Sequence, residues 1–165
     1  MSPQKRHFLV VAAASKGARY FIKNALLQGH HVTAICRESS NEAAFDRITH
    51  LLEQTKLSLV KGSDHHSNGN GQLNAYNRDI LDSSTYSSLL EAHRTIDAIA
   101  CFVGVTGLTD MLDKKHCLYT QTMSAIVNGL QASRYVEVYY HGSSGTEGLP
   151  GQGVAKLPDN YFTKP

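Results

Sequence analysis

At 165 residues, with 16 basic and 14 acidic side chains and a formal charge of +2, the chain fits one domain around a single core. Its charges are interspersed rather than gathered into a basic stripe, which argues against a nucleic-acid partner. The N-terminal apolar run is broken by Ser15, Lys16 and Arg19, too soon for a signal-peptide core or a membrane span, so the expectation is a soluble cytoplasmic protein.

Phe8 to Ala12 is a continuous apolar run, as in a strand covered on both faces. A helix follows from about Ala18 to Gln28, with Tyr20, Phe21, Ala25 and Leu26 on one stripe and Lys23 and Asn24 turned away. Gly29 suits the position just past a helix end because it tolerates positive φ. Val32 to Cys36 reads as the second strand. The next helix, about Glu42 to Gln54, carries Ala43, Phe45, Ile48, Leu51 and Leu52 at helical spacing, and Ser40 or Asn41 can cap it.

Leu57 to Val60 then reads as a strand, and residues 62–72, all small or polar, as an inserted loop or hairpin before an extended piece at Leu73 to Arg78. Asp82 and Ser83 introduce a helix over about Ser84 to His93. Thr95 to Val103 is the clearest central strand of the second half, followed by a glycine-bearing loop, a helix from about Asp110 to Ala132 and a strand at Val136 to Tyr140. Alternation of strands with helices of crossover length predicts an α/β, doubly wound parallel sheet of about five strands with helices on both faces. That domain spans 1–145, and 146–165 is a tail rich in Gly and Pro.

Phe8 to Arg37 therefore reads as strand, small-residue turn, helix and strand, the first half of a dinucleotide-binding βαβ unit. It resembles the atypical and extended branches of the short-chain dehydrogenase/reductase superfamily, including NmrA-like proteins, in which the first strand of a Rossmann domain ends in G-x-x-G-x-x-G. Counting back from Gly29-His30 puts Ala12, Ser15 and Ala18 on the three glycine positions. Small side chains there allow close backbone approach, although Ala and Ser do not cheaply adopt positive φ. The resemblance implies that Ala12, Ala14, Ser15, Lys16, Gly17 and Ala18 cradle a pyrophosphate. It implies that Arg37, closing the second strand, pairs with a 2′-phosphate, so that NADP is favoured over NAD.

Asp79-Ile80-Leu81-Asp82 is similar to the family's D-x-x-D strand end, with Asp79 accepting from the adenine amine and Ile80 beside it. Val103 and Gly104 would line the loop beside ribose and nicotinamide, together with Thr106 and Gly107. Ser143, in the Ser143-Ser144 pair after the last strand, stands where active relatives keep a substrate-binding serine. These points cover about residues 8 to 145.

The tyrosine general acid and the lysine four residues later that such enzymes commonly use are missing after the serines; Tyr161 and Lys164 are the nearest pair, one residue short of that spacing. Relatives also continue into a substrate-binding part beyond this point. His65 and His66 read as solvated loop residues and no metal-type spacing is present, while Cys36, Cys101 and Cys117 read as buried thiols. Two functions stay open: an NADP(H)-dependent oxidoreductase acting on a small organic substrate, or a non-catalytic nucleotide-sensing or structural subunit. Either is expected to be a homo-oligomer or part of a larger assembly, because the edge near Val136, Val138 and Tyr140 needs cover.

Overall fold

The first apolar run forms β1, His7–Val11, and all five of its residues are buried. In the computed structural model, which describes residues 4–55, 71–104, 118–130 and 135–140, β1 is followed by α1 (Lys16–Leu27), β2 (His31–Cys36) and α2 (Asn41–Gln54). The second half contains β3 (Leu73–Asn77), α3 (Ser83–Ala92), β4 (Ala98–Cys101), α4 (Leu118–Gly129) and β5 (Glu137–Tyr140). The five strands form one sheet in the order β3-β2-β1-β4-β5, and every pairing is parallel. This is the doubly wound, Rossmann-like order, in which strand succession reverses on either side of β1.

Period-two alternation divides the core into two layers. Phe8 and Val10 face the layer that includes Ala18, Ile22 and Ile48, whereas Leu9 and Val11 face the one that includes Tyr86, Ile99 and Ile126. Helices α1 and α2 thus cover one face of the sheet, and α3 and α4 the other. The helical stripes differ in detail from the expectation. Ala18, Ile22 and Ala25 are the buried line of α1, at i, i+4 and i+7, while Tyr20 is 44% exposed. In α2, Ala44 and Ile48 point inward and Phe45 is exposed. Close packing of these helices on the sheet uses the narrow alanine line, and the bulkier aromatic is displaced to the flank.

Helix α1 ends as anticipated at Gly29, whose φ is +81°. The Gly29 N–H donates to the Leu26 carbonyl at 3.0 Å and the His30 N–H to the Ala25 carbonyl at 2.9 Å, the paired bonds of a Schellman cap. The strand beside β2 is Leu73–Asn77; the stretch 57–60 and most of the loop at 62–72 lie outside the described residues. Gly71 pins the entry to β3. A Cβ built there would lie 2.6 Å from the Leu26 carbonyl oxygen and 2.7 Å from that of His30, so only glycine fits against the end of α1. Strand β4 begins later than the apolar run suggested, because the Ile96 N–H turns back to the His93 carbonyl at 3.0 Å.

The second layer depends on an equally close approach at Gly129, the last residue of α4. An added Cβ would stand 2.6 Å from both the Ser83 carbonyl oxygen and Tyr86 Cβ, so α3 and α4 meet there with no room for a methyl group. Gly129→Ala is expected to destabilise the fold by about 1–3 kcal/mol, the range for overpacking a tight core contact, read as a lower urea midpoint. An unchanged midpoint would show that the two helices separate freely.

Candidate dinucleotide cleft

The turn after β1 reverses the chain at the C-terminal edge of the sheet. Ala12 stands at φ +58°, in the left-handed region, and is the one non-glycine residue at positive φ among the described residues. The alanine on the first glycine position thus takes the backbone conformation a glycine would supply, at a cost of about 1–2 kcal/mol. Two contacts hold it there: the Ser15 N–H donates to the Ala12 carbonyl at 3.0 Å, and the Ala13 N–H to the Ile35 carbonyl of β2 at 3.1 Å. Ser15 remains extended and caps α1, accepting the Ala18 N–H on Oγ at 3.3 Å. Helix α1 therefore starts at Lys16. The N–H groups of Lys16 and Gly17 belong to its first turn, where no intrahelical carbonyl is available to them.

Above this turn opens a cleft of about 420 Å³. It lies at the point where strand order reverses between β1 and β4, the usual position of ligands in open α/β sheets. Its floor is Ala12, Ala13, Ala14 and Ser15; Ile35, Cys36 and Ile80 form one side, and Phe102, Val103, Gly104 and Leu118 the other. Of the residues anticipated from sequence, Ala12, Ala14, Ser15, Arg37, Ile80, Val103 and Gly104 all border this one cavity. Lys16, Gly17 and Ala18 instead form the first turn of α1, with Lys16 exposed and Ala18 buried. Ser143, Tyr161 and Lys164 lie outside the described residues, as do Thr106, Gly107, His65 and His66.

Three guanidinium groups rim the far end: Arg37, Arg47 and Arg78. Arg37 Nη2 stands 3.5 Å from Asp79 Oδ1, an open pair with side chains 78% and 55% exposed that contributes about 1 kcal/mol at most. Arg47, from α2, is paired with Glu38, whose hydrogen bond holds the guanidinium above its ordinary pKa. Asp79 also accepts the Leu81 N–H at 3.0 Å, and its carbonyl accepts the Thr85 hydroxyl at 2.9 Å, so it builds the turn into α3. It borders a neighbouring cavity of about 440 Å³, with Asn77, Asp82 and Ser84, rather than the main cleft. Asp82 is the α3 cap: its carboxylate accepts from the Ser84 N–H at 2.9 Å and the Ser84 hydroxyl at 2.6 Å, which hold its pKa below the usual carboxylate value.

The Cys36 thiol borders the cleft, but burial pushes its pKa up and keeps it protonated at neutral pH. Among the described residues no group of three or more His, Cys, Asp or Glu side chains is placed to hold a metal, and no helix is long and apolar enough to cross a membrane. Sequence reasoning missed Ala13, Ile35, Cys36, Arg47, Arg78, Phe102 and Leu118. Arg78 directly precedes the Asp79-Ile80 pair and was legible as its neighbour; Arg47 and Leu118 reach the cleft only through the packing of their helices.

No family model matches the chain, and no curated protein matches it. Among solved structures the fold is similar to UDP-glucose 4-epimerase from Bifidobacterium longum in complex with NAD+ and UDP, with a TM-score of 0.59 and 15% identity over 85% of this chain and 38% of that one. It is similar to the terminal R domain from the myxalamid PKS-NRPS biosynthetic pathway, with a TM-score of 0.65 and 13% identity over 88% of this chain and 36% of that one. A short-chain dehydrogenase/reductase from Serratia marcescens BCRC 10948 matches with a TM-score of 0.59 and 15% identity over 94% of this chain and 62% of that one. At these identities the likeness is one of fold. The chain spans less than two-thirds of the length of each of the three.

The strain at Ala12 is testable. Ala12→Gly removes about 1–2 kcal/mol of left-handed strain and adds about 0.4–1 kcal/mol of unfolded-chain freedom, for a net gain of up to about 1.6 kcal/mol. Ala12→Val is expected to destabilise. Urea unfolding of both variants checks the pair, and a clear loss of stability in Ala12→Gly would contradict the left-handed turn.

Proposed function

We propose that the chain binds NADP(H) in the cleft above the β1 turn and is an oxidoreductase of the short-chain dehydrogenase/reductase type, acting on a small organic substrate. The observation that carries this reading is the coincidence of a strand-order reversal with a floor of small residues whose first member, Ala12, takes the conformation of a motif glycine. The donor set fits a dinucleotide. Small residues at 12–15 leave backbone as the contact surface, and the first-turn N–H groups of α1 suit a pyrophosphate. Ile80, Val103 and Leu118 offer apolar area for a base, and the arginine rim suits an added phosphate. The structural neighbours support the same reading: one is described in complex with NAD+ and another is itself a short-chain dehydrogenase/reductase.

When bound, the nicotinamide supplies the hydride chemistry, and the chain's own residues bind, orient and exclude water. The turn residues, with the first-turn N–H groups of α1, would hold the phosphates through their backbone. Val103 and Gly104, just past the end of β4, border the far wall, and among the described residues no atom beyond the chain neighbours lies within 4 Å of a Cβ built at Gly104. Cytoplasmic residence agrees with the use of such a cofactor and with buried, unpaired Cys36 and Cys101.

The second reading is a nucleotide-sensing or structural subunit. No tyrosine anywhere in the sequence is followed four positions later by lysine. In addition, among the described residues β5 forms an edge of the sheet with Tyr139 half exposed, a surface suited to another copy or another subunit.

Calorimetric titration separates the outcomes. NADPH is expected to bind more tightly than NADH, with a preference that shrinks as salt rises because the discriminating contacts are exposed charges. Oxidation of bound NADPH by a panel of small carbonyl compounds then marks an enzyme; tight binding without turnover marks the sensing subunit. Binding of neither cofactor would remove the dinucleotide reading.

A further inference from the structure

We propose that Arg78, the residue after β3, is the principal selector of a 2′-phosphorylated dinucleotide; the inference rests on the reading of the cleft as a dinucleotide site. Its basis is the unequal commitment of the three arginines on the rim. Arg37 faces Asp79 at 3.5 Å and Arg47 is paired with Glu38. Arg78 makes no ion pair among the described residues. One Nη donates to the carbonyl of the adjacent Asn77 at 3.0 Å, and the guanidinium carbon lies 5.8 Å from the centre of the Tyr76 ring. Neither contact neutralises the charge, and the ring orients the guanidinium without occupying its whole donor edge.

Position adds a second, independent reason. Arg78 and Arg37 both border the main cleft and the neighbouring cavity, so they mark the boundary between the two. A dianionic phosphate drawn deeper into the second cavity would meet the carboxylates of Asp79 and Asp82. The favoured place for that charge is therefore the boundary itself, where Arg78 offers a planar fork of donors suited to two phosphate oxygens. At Arg37 a phosphate must compete with Asp79 for the same guanidinium. At Arg78 it competes only with a backbone carbonyl. An unphosphorylated ribose brings no charge to this point, so the contact discriminates between the two cofactors rather than strengthening both.

The test uses the full chain, with NADPH and NADH as the probes in calorimetric titration of the wild type, Arg78→Gln and Arg78→Lys, and circular dichroism to confirm that each variant is folded. Arg78→Gln keeps much of the side-chain length and polarity while removing the charge. It is expected to weaken NADPH binding by about ten- to one-hundredfold, the range for loss of a charge-assisted hydrogen bond, and to change NADH binding by less than about twofold. Arg78→Lys keeps the charge without the fork and is expected to fall between the two. Unchanged NADPH affinity in Arg78→Gln, or equal losses for both cofactors, would overturn the role of Arg78 while leaving the cleft as a dinucleotide site. A wild type that binds neither cofactor would overturn the site as well.

Discussion

The cleft depends on how the chain turns between Val11 and Lys16. A central parallel strand, paired on both sides and covered on both faces, must deliver its chain to a helix on one face within a few residues. That reversal needs a residue in the left-handed region, and Ala12 supplies it without glycine. The bonds from Ser15 to Ala12 and from Ala13 to Ile35 over-determine the turn, and the burial of β1 holds its entry. Local strain of this kind persists where surrounding packing fixes the backbone.

The same turn explains why the cleft has a backbone floor. Three alanines and a serine cannot fill the space above the sheet, and Ser15 spends its hydroxyl on capping α1. What remains for a ligand is peptide N–H groups and the apolar ends of β4 and α4. Polar selectivity then has to come from the opposite rim, where Arg37 and Arg78 directly follow β2 and β3. The chemistry of the cleft is thus split between a neutral floor and a charged rim on different elements.

Much of this architecture is legible in the sequence because buried parallel strands are continuous apolar runs and their helices carry a 3.6-residue period. Phe8 to Ala12 and Val32 to Cys36 are clear on that basis, as are the caps at Ser40, Asp82 and Gly29. The strand beside β2 was harder: LNAYN alternates weakly and carries two asparagines, as an edge strand can, while the more apolar Leu57 to Val60 invites the eye. The helix faces differ from the expected stripes at Tyr20, two positions from the buried Ala18 and Ile22, and at Phe45, one past the buried Ala44: the lines against the sheet take alanine and isoleucine, and the aromatic rings lie outward. The left-handed Ala12 was unreadable from its side chain. Arg47 was equally hidden, since its place on the rim is set by how α2 lies across the sheet and not by any local pattern.

The glycine at position 71 has an architectural consequence. With its backbone lodged against Leu26 and His30, and the Val32 N–H bonded to the Gln72 carbonyl at 2.8 Å, the start of β3 is fixed by contacts of residues 71 and 72 themselves. Any side chain at position 71 would have to push the start of β3 away from the end of α1, and with it the register that sets where Arg78 follows the strand.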